Sequence, residues 1–343
     1  MAAILCHPFL RRLLTPPRHA RLARRAASSL VCDERDFRFQ LKLLKVDDLG
    51  STARFEGLTA ELCDATLDAA RTLAEEKFAP HNRKNDLHEP QWDGVGEVTI
   101  IPEVKEALDA FFEAGFGSVH AAEEHGGLAL PITLTNSLLF PFYAANIGTM
   151  TVPMLTIAAG NMLARHGSPD QVKAFLPKML SGDFYGTMNL SETQAGSSLG
   201  DITTKAIPIS GGAPGRYSIS GSKMWISSGE HSMSENIVHM VLAKVGDPNN
   251  SSKVQRGVKG ISLFLVPKRR LNEDGSVGEL NDVALAGLNH KMGWRGLTNC
   301  VMSYGEEGDC EGTLIGEEGR GLATMFAMMN EARIQQVRVE GGA

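Results

Sequence analysis

The sequence predicts an α+β multidomain protein: an N-terminal all-α helical domain, a middle antiparallel β domain, and the start of a C-terminal helical domain that is cut short. Three changes of pattern predict it. Apolar residues keep a helical period from about Asp33 to Gly182. From about Tyr185 to Ile315 they alternate or run β-branched between Gly, Pro and Asn. From Leu322 the helical period returns. A length of 343 residues holds two or three packed units. The boundaries expected are 1–32, 33–184, 185–316 and 317–343.

Residues 1–32 read as a transit peptide. The first thirty residues hold six arginines, no lysine and no acid, with Ala, Leu and Ser between them. That is the composition of an organelle-targeting leader, and arginines interrupt any secretory apolar core. The mitochondrial matrix is the first expectation and the plastid the second. A plain basic tail is the competing reading.

In the helical domain, "TAELCDATLDAARTLAEEKFAPHNR" places Leu62, Ala65, Ala69, Leu73 and Phe78 near one face, and Pro80 is expected to end the helix. "IPEVKEALDAFFEAGFG" opens on proline and stops at glycine. "SPDQVKAFLPKMLSGDF" has an N-cap serine and an acidic first turn. In the β domain, "RYSISGSKMWIS" puts Tyr217 and Ile219 on one face, and "ENIVHMVLAKV", "KGISLFLVPKR" and "TNCVMSY" are further strands. "GDPNNSSKVQRG" reads as a turn or loop. The last helix carries an apolar stripe of Leu322, Met325, Met328 and Met329. Such a stripe is more often core than ligand box, and it needs a partner surface that the remaining sequence does not supply.

Composition narrows the function classes. The net charge is -6, and no basic stripe follows the leader, so nucleic acid is not an expected partner. No run of about 18 apolar residues predicts a membrane span. Five cysteines without a C-x-x-C indicate neither a disulfide framework nor a zinc site. His120 and His125 stand five apart, too far around a helix to share a metal, so no metal site is expected.

Chemistry concentrates at "SETQAGSSLGD", Ser191–Asp201. Ala195 and Gly196 leave backbone amides open to close approach, and Ser197 and Ser198 add hydroxyls. Such a loop suits a phosphate or a polar ring edge, though it is neither a Walker loop nor G-x-G-x-x-G. A plain surface turn is the alternative. About thirty residues later Trp225 lies on a strand beside Ser227 and Ser228. A wide planar cofactor fits between them, with the Ser191 and Ser227 hydroxyls donating to ring heteroatoms. Trp225 as pure core is the competing reading.

"MNLSETQAGSSLGDITTKA", "ISGSKMWISSGEH", "KMGWRG" and "EEGRGLATMFAMMNEAR" together resemble the acyl-CoA dehydrogenases. "GTMNLSE", "GEHSMSENIVHMVLAKV", "HGSPDQ" and "EEHGGLALP" are similar to the 3-methylmercaptopropionyl-CoA dehydrogenase branch of that family. The resemblance implies FAD. Met188, Leu190, Ser191, Gly196 and Ser197 would hold the flavin edge and pyrophosphate, and Trp225, Ile226 and Ser227 would cover the isoalloxazine. Ser197, Asn330 and Arg333 would meet acyl-CoA. It also implies an electron-transferring flavoprotein as acceptor and a homo-oligomer for full-length members.

Two departures matter. Thr193 and Ser198 stand where the family loop has proline and aspartate. In most members a further helical domain carries the glutamate base. Some members place the base directly before the motif arginine, a position that is Ala332 here, and Glu331 is one step off, roughly 100° around the helix. No catalytic residue is assigned. Two functions follow: an FAD-dependent dehydrogenase forming 2-enoyl-CoA from an acyl-CoA, or a non-catalytic flavin- or acyl-CoA-binding remnant or interaction module.

Overall fold

The computed structural model describes residues 31–211 and 214–341. The transit-peptide reading lies outside them, Val31 and Cys32 apart. Contacts divide the chain into two compact units: one takes the described residues up to Lys84, Pro102–Met150 and the chain from Gln335; the other takes Asn85–Ile101 and Thr151–Ile334. The dividing line thus falls after Met150, ahead of the change of pattern at 184.

The helices are α1 (Glu34–Leu43), α2 (Ala60–Leu73), α3 (Asn82–Leu87), α4 (Pro102–Glu113), α5 (Ile132–Ala145), α6 (Ile147–His166), α7 (Pro169–Ser181) and, after the strands, α8 (Gly321–Gly341). Caps set their starts. The Asp33 side chain accepts from the Arg35 amide, the Thr59 side chain from the Leu62 amide, and Ser168 with Gln171 closes a reciprocal capping box on α7. The first unit centres on four buried phenylalanines. Phe142 meets Phe78 and Phe111 at 5.0 Å and Phe116 at 5.1 Å between ring centroids, edge-on in each case.

Pro80 does not end the second helix. The α-helix gives way after Leu73 to a π turn, Ala74–Phe78, then a 3-10 turn, Ala79–His81, and so to α3. Pro80 opens the 3-10 turn, where its missing N–H costs little. The wider π turn seats Phe78 fully inside. A second correction concerns α6. Its 20 residues are long and apolar enough to cross a membrane, but 83% of that window is buried within the protein, as in a core helix.

The second unit is built on eleven strands: β1 (Phe184–Asn189), β2 (Lys205–Pro208), β3 (Arg216–Ser227), β4 (Asn236–Asp247), β5 (Asn250–Val254), β6 (Ile261–Pro267), β7 (Arg269–Leu271), β8 (Val277–Leu280), β9 (Val283–Leu288), β10 (Asn299–Tyr304) and β11 (Glu311–Ile315). The large sheet runs β1-β4-β6-β11-β3-β10-β9. Because β2 pairs with both β3 and β4, the strands β2-β4-β6-β11-β3 close a ring. Closure removes the free edges that open sheets expose. Pairing is mostly antiparallel; β1 and β2 run parallel to β4. Ala206, Tyr217, Ile219, Val241, Phe264 and Val266 fill the interior. β5, in the stretch expected as a loop, pairs antiparallel with β4. β7 and β8 form a separate hairpin.

The methionine stripe of α8 is not left without a partner: Met325 and Met328 are fully buried within the described residues. The helix starts hard against β6. A Cβ on Gly321 would lie 2.2 Å from the Ser262 carbonyl carbon, and the Gly319 amide donates to Ser262 Oγ at 2.9 Å.

Candidate functional site

β1 delivers the chain into the loop Ser191–Asp201. Its first turn is pinned by two reciprocal backbone bonds between Glu192 and Ala195, at 2.9 and 3.0 Å. Glu192 then acts as the hub of the loop. Its Oε2 accepts from the Thr203 amide (2.6 Å), the Thr203 hydroxyl (2.8 Å) and Gln194 Nε2 (2.7 Å). Its Oε1 accepts from the Thr204 amide (3.0 Å), the Thr204 hydroxyl (2.6 Å) and Lys223 Nζ (3.0 Å). Lys223 also donates to the Leu190 carbonyl at 3.0 Å. Glu192 is 4% exposed and Lys223 is 0% exposed, so this is a buried ion pair, with both carboxylate oxygens accepting and the ammonium donating to Glu192 and Leu190.

Burial pushes the Glu192 carboxyl up, but the Lys223 charge and the bonds from Thr204 and Thr203 outweigh it and hold it well below the usual range. Burial lowers the Lys223 ammonium against the opposing pull of Glu192. Motif reading missed this pair. The signal was present: Tyr217, Ile219 and Lys223 share the inward register of β3, and a lysine in a core register demands a buried partner.

A β-bulge then re-aims the next residues. On β3, Lys223 opposes Met302 and Ile226 opposes Cys300, so Met224 and Trp225 together face the single residue Val301. Up to Lys223 the odd positions point inward; after the bulge Ile226 is inward, 1% exposed, and Trp225 is turned out, 57% exposed. Trp225 adopts φ +65 and Ser228 φ +56. Left-handed backbone at a tryptophan costs on the order of 1–3 kcal/mol and persists only where the surroundings enforce it. The core reading of Trp225 is thereby overturned. The Met224 amide donates to the Ser191 carbonyl at 2.9 Å, so the indole strand and the loop are stitched together one residue from each.

Beside the loop lies a cavity of about 550 Å³, lined by Leu190, Ser191, Gly196, Ser197, Ser198, Leu199, Gly200, Val258, Leu322, Phe326, Met329 and Arg333. The helix residues among these recur at one face of α8. Gly196 faces open space, with nothing within 4 Å of the place a Cβ would take. Arg333 bonds Asn330 Oδ1 at 3.0 Å and lies 5.7 Å from the Phe326 ring centroid. Of the expected site residues, Leu190, Ser191, Gly196, Ser197 and Arg333 line this cavity. Met188, Trp225, Ile226, Ser227 and Asn330 do not; the Ile226 side chain is in the core, leaving only its backbone to face a ligand. Glu331 turns elsewhere: it accepts from Asn161 Nδ2 at 2.9 Å, and burial raises its carboxyl.

Beneath β1 runs a buried polar chain. Tyr304 donates to Asn189 Oδ1 (3.0 Å), Asn189 Nδ2 donates to Thr187 Oγ1 (2.7 Å), and Thr187 Oγ1 shares a hydrogen with His239 Nδ1 (2.8 Å). It fixes the strand that carries the loop. Burial, helped by the Lys268 charge, pushes His239 and His231 down to about 3, so both rings are neutral. No group of histidines, cysteines and acids among the described residues could hold a metal ion.

Eight α-helices among the described residues, a ring of strands closed by β2, a glycine-bearing loop beside a cleft and an outward indole on the strand stitched to that loop define a two-unit α+β protein. Residues 61–183 match the family "Acyl-CoA dehydrogenase, N-terminal domain" and residues 187–304 match "Acyl-CoA dehydrogenase, middle domain". The chain belongs to the acyl-CoA dehydrogenase family. It is 37% identical over 284 residues to a 3-methylmercaptopropionyl-CoA dehydrogenase of Ruegeria pomeroyi, covering 81% of this chain and 46% of that protein. It is 36% identical over 280 residues to a butyryl-CoA dehydrogenase of Syntrophomonas wolfei, covering 79% and 44%. The chain spans about half the length of these curated relatives. Among solved structures, butyryl-CoA dehydrogenase from Megasphaera elsdenii shares the fold with a TM-score of 0.62 at 20% identity, over 82% of this chain and 65% of that one. An acyl-CoA dehydrogenase complexed with FAD from Bacillus anthracis shares it with a TM-score of 0.64 at 19% identity, over 82% and 42%.

Proposed function

We propose that this chain binds FAD and an acyl-CoA as part of an acyl-CoA dehydrogenase that forms a 2-enoyl-CoA. The observation that carries the reading is Trp225, forced outward by a bulge and held in left-handed backbone beside the Ser191 loop. The residues present fit a flavin: a broad apolar indole face, hydroxyls on Ser191, Ser197 and Ser227, and an open backbone at Gly196. In this reading Met188, Leu190, Ser191, Gly196 and Ser197 hold the flavin edge and pyrophosphate, and Trp225, Ile226 and Ser227 cover the ring. Ser197, Asn330 and Arg333 meet the acyl-CoA, where a guanidinium suits phosphate. The flavin supplies hydride acceptance when bound. The chain's own residues bind and orient; none of those lining the cleft is a carboxylate able to take the α-proton.

That last observation favours a second reading, a binding module without turnover of its own. Ala332 occupies the position of an alternative family base, and Glu331 is tied to Asn161. Electron-transferring flavoprotein is the proposed acceptor, a homo-oligomer the proposed assembly, and the mitochondrial matrix the proposed location, with the plastid as alternative. Relatives named as mitochondrial, such as an isobutyryl-CoA dehydrogenase of Dictyostelium discoideum at 25% identity, support that location. Purified residues 33–343 are expected to be yellow. Bleaching of the flavin by a short acyl-CoA marks the dehydrogenase, colour without bleaching marks the module, and a folded protein that ignores added FAD sinks both.

A further inference from the structure

We infer that the buried Glu192–Lys223 pair is a positioning device: it sets the spacing between the Ser191–Ser198 loop and Trp225 without touching the ligand cleft. Neither side chain lines the cavity. Together they tie the loop that forms one of its walls to the strand that carries Trp225. Lys223 sits two residues before Trp225 on β3 and reaches across to the Leu190 carbonyl, the last backbone group before the loop. Glu192 lies inside the loop's first turn and gathers its far end through Thr203 and Thr204. The entry, the exit and the indole strand therefore meet at one carboxylate.

The surroundings leave this clamp no slack. Gly221 comes so close to Thr204 that a Cβ there would lie 2.7 Å from the Thr204 Cα. The Lys244 ammonium donates to the Gly200 carbonyl at 2.7 Å and holds the loop's last turn to β4. The stretch between these anchors, Gly196–Ser198, is exposed. Its pose is dictated from below, by groups the ligand never meets. An apolar pair of equal volume would fill the same space and could preserve the fold. It would not bridge Leu190, Thr203 and β3 by hydrogen bonds. The charge is thus retained for geometry rather than for stability.

The second arm of the test rests on the flavin reading; the first does not. The double variant Glu192→Gln/Lys223→Met removes both charges and leaves no unpaired ion. In ligand-free protein, amide hydrogen exchange at Ala195 and Met224 is expected to rise at least tenfold while the thermal midpoint stays within a few degrees of the parent. FAD affinity, titrated by flavin fluorescence, is expected to fall at least tenfold, whereas a purely structural role would move the midpoint and spare the affinity of the folded protein. Thr204→Val, which deletes one hydroxyl donor to Glu192 and keeps the shape, is expected to give a smaller loss in the same direction, and decides the matter if the double variant does not fold. Exchange within twofold of the parent in the folded variant overturns the inference. A parent protein that binds no FAD overturns the flavin reading alone, and the exchange arm still judges the pair.

Discussion

Trp225 is the residue where backbone cost and exposure coincide. Replacing it by glycine removes an apolar face and relieves the left-handed strain. Trp225→Gly is therefore expected to hold or raise the thermal midpoint, by up to about 1 kcal/mol of stability, while FAD affinity falls tenfold or more; calorimetry and flavin titration read the two effects separately. Gly221 makes the opposite case. Its φ of +148 and its contact with Thr204 leave no room for a methyl group. Gly221→Ala is expected to cost roughly 2 kcal/mol or more in urea unfolding. The sequence pointed to the loop and to the indole, because small residues and a tryptophan are visible as letters. It did not reveal that the indole faces out. That depends on one extra residue in β3 relative to β10, a register fact fixed only when the strands pair.

At the scale of elements, the caps were legible and the breaks were not. The serine before "PDQ" announced α7, and it closes a capping box. Ser168→Ala is expected to cost about 1 kcal/mol, measured as a shift in thermal midpoint. Pro80 misled because proline forbids the interior of a helix but not the first turn of a new one. β5 hid in a polar stretch because its pairing with β4 is set by the hairpin rather than by apolar alternation. The buried pair Glu192–Lys223 was hidden for a related reason. Its partners are 31 residues apart in sequence, and they come within 3.0 Å because Glu192 is bonded to Thr204 at the head of β2, which pairs with β3.

For the whole molecule, the buried titratable groups set the response to acid. His231 and His239 are neutral when folded, held down to about 3, and return to an ordinary value near 6.5 on unfolding. Between those values the unfolded chain binds more protons than the folded one, so stability rises with pH there and falls on acidification. Glu192 adds the same sign lower down. Its carboxyl is depressed in the fold, so its contribution is present above about pH 4.3 and is lost as pH falls toward its folded value. Unfolding free energies from urea titration are expected to decline steadily below pH 6.5, by up to about 1.4 kcal/mol per pH unit for each histidine. His239→Gln is expected to flatten that slope between pH 4 and 6. A profile flat from pH 7 to pH 4 in the parent protein would contradict the neutral histidines.

The bulge at Met224 and Trp225 has a consequence for how such a chain can change over time. Excising residue 225 would bring the following isoleucine into the inward place opposite Cys300 that regular pairing from Lys223 demands. The interior would keep its composition, and the strand would run on without interruption. The outward indole is an insertion laid over an otherwise regular strand, so a lineage could gain or shed it by a single codon without rebuilding what lies beneath.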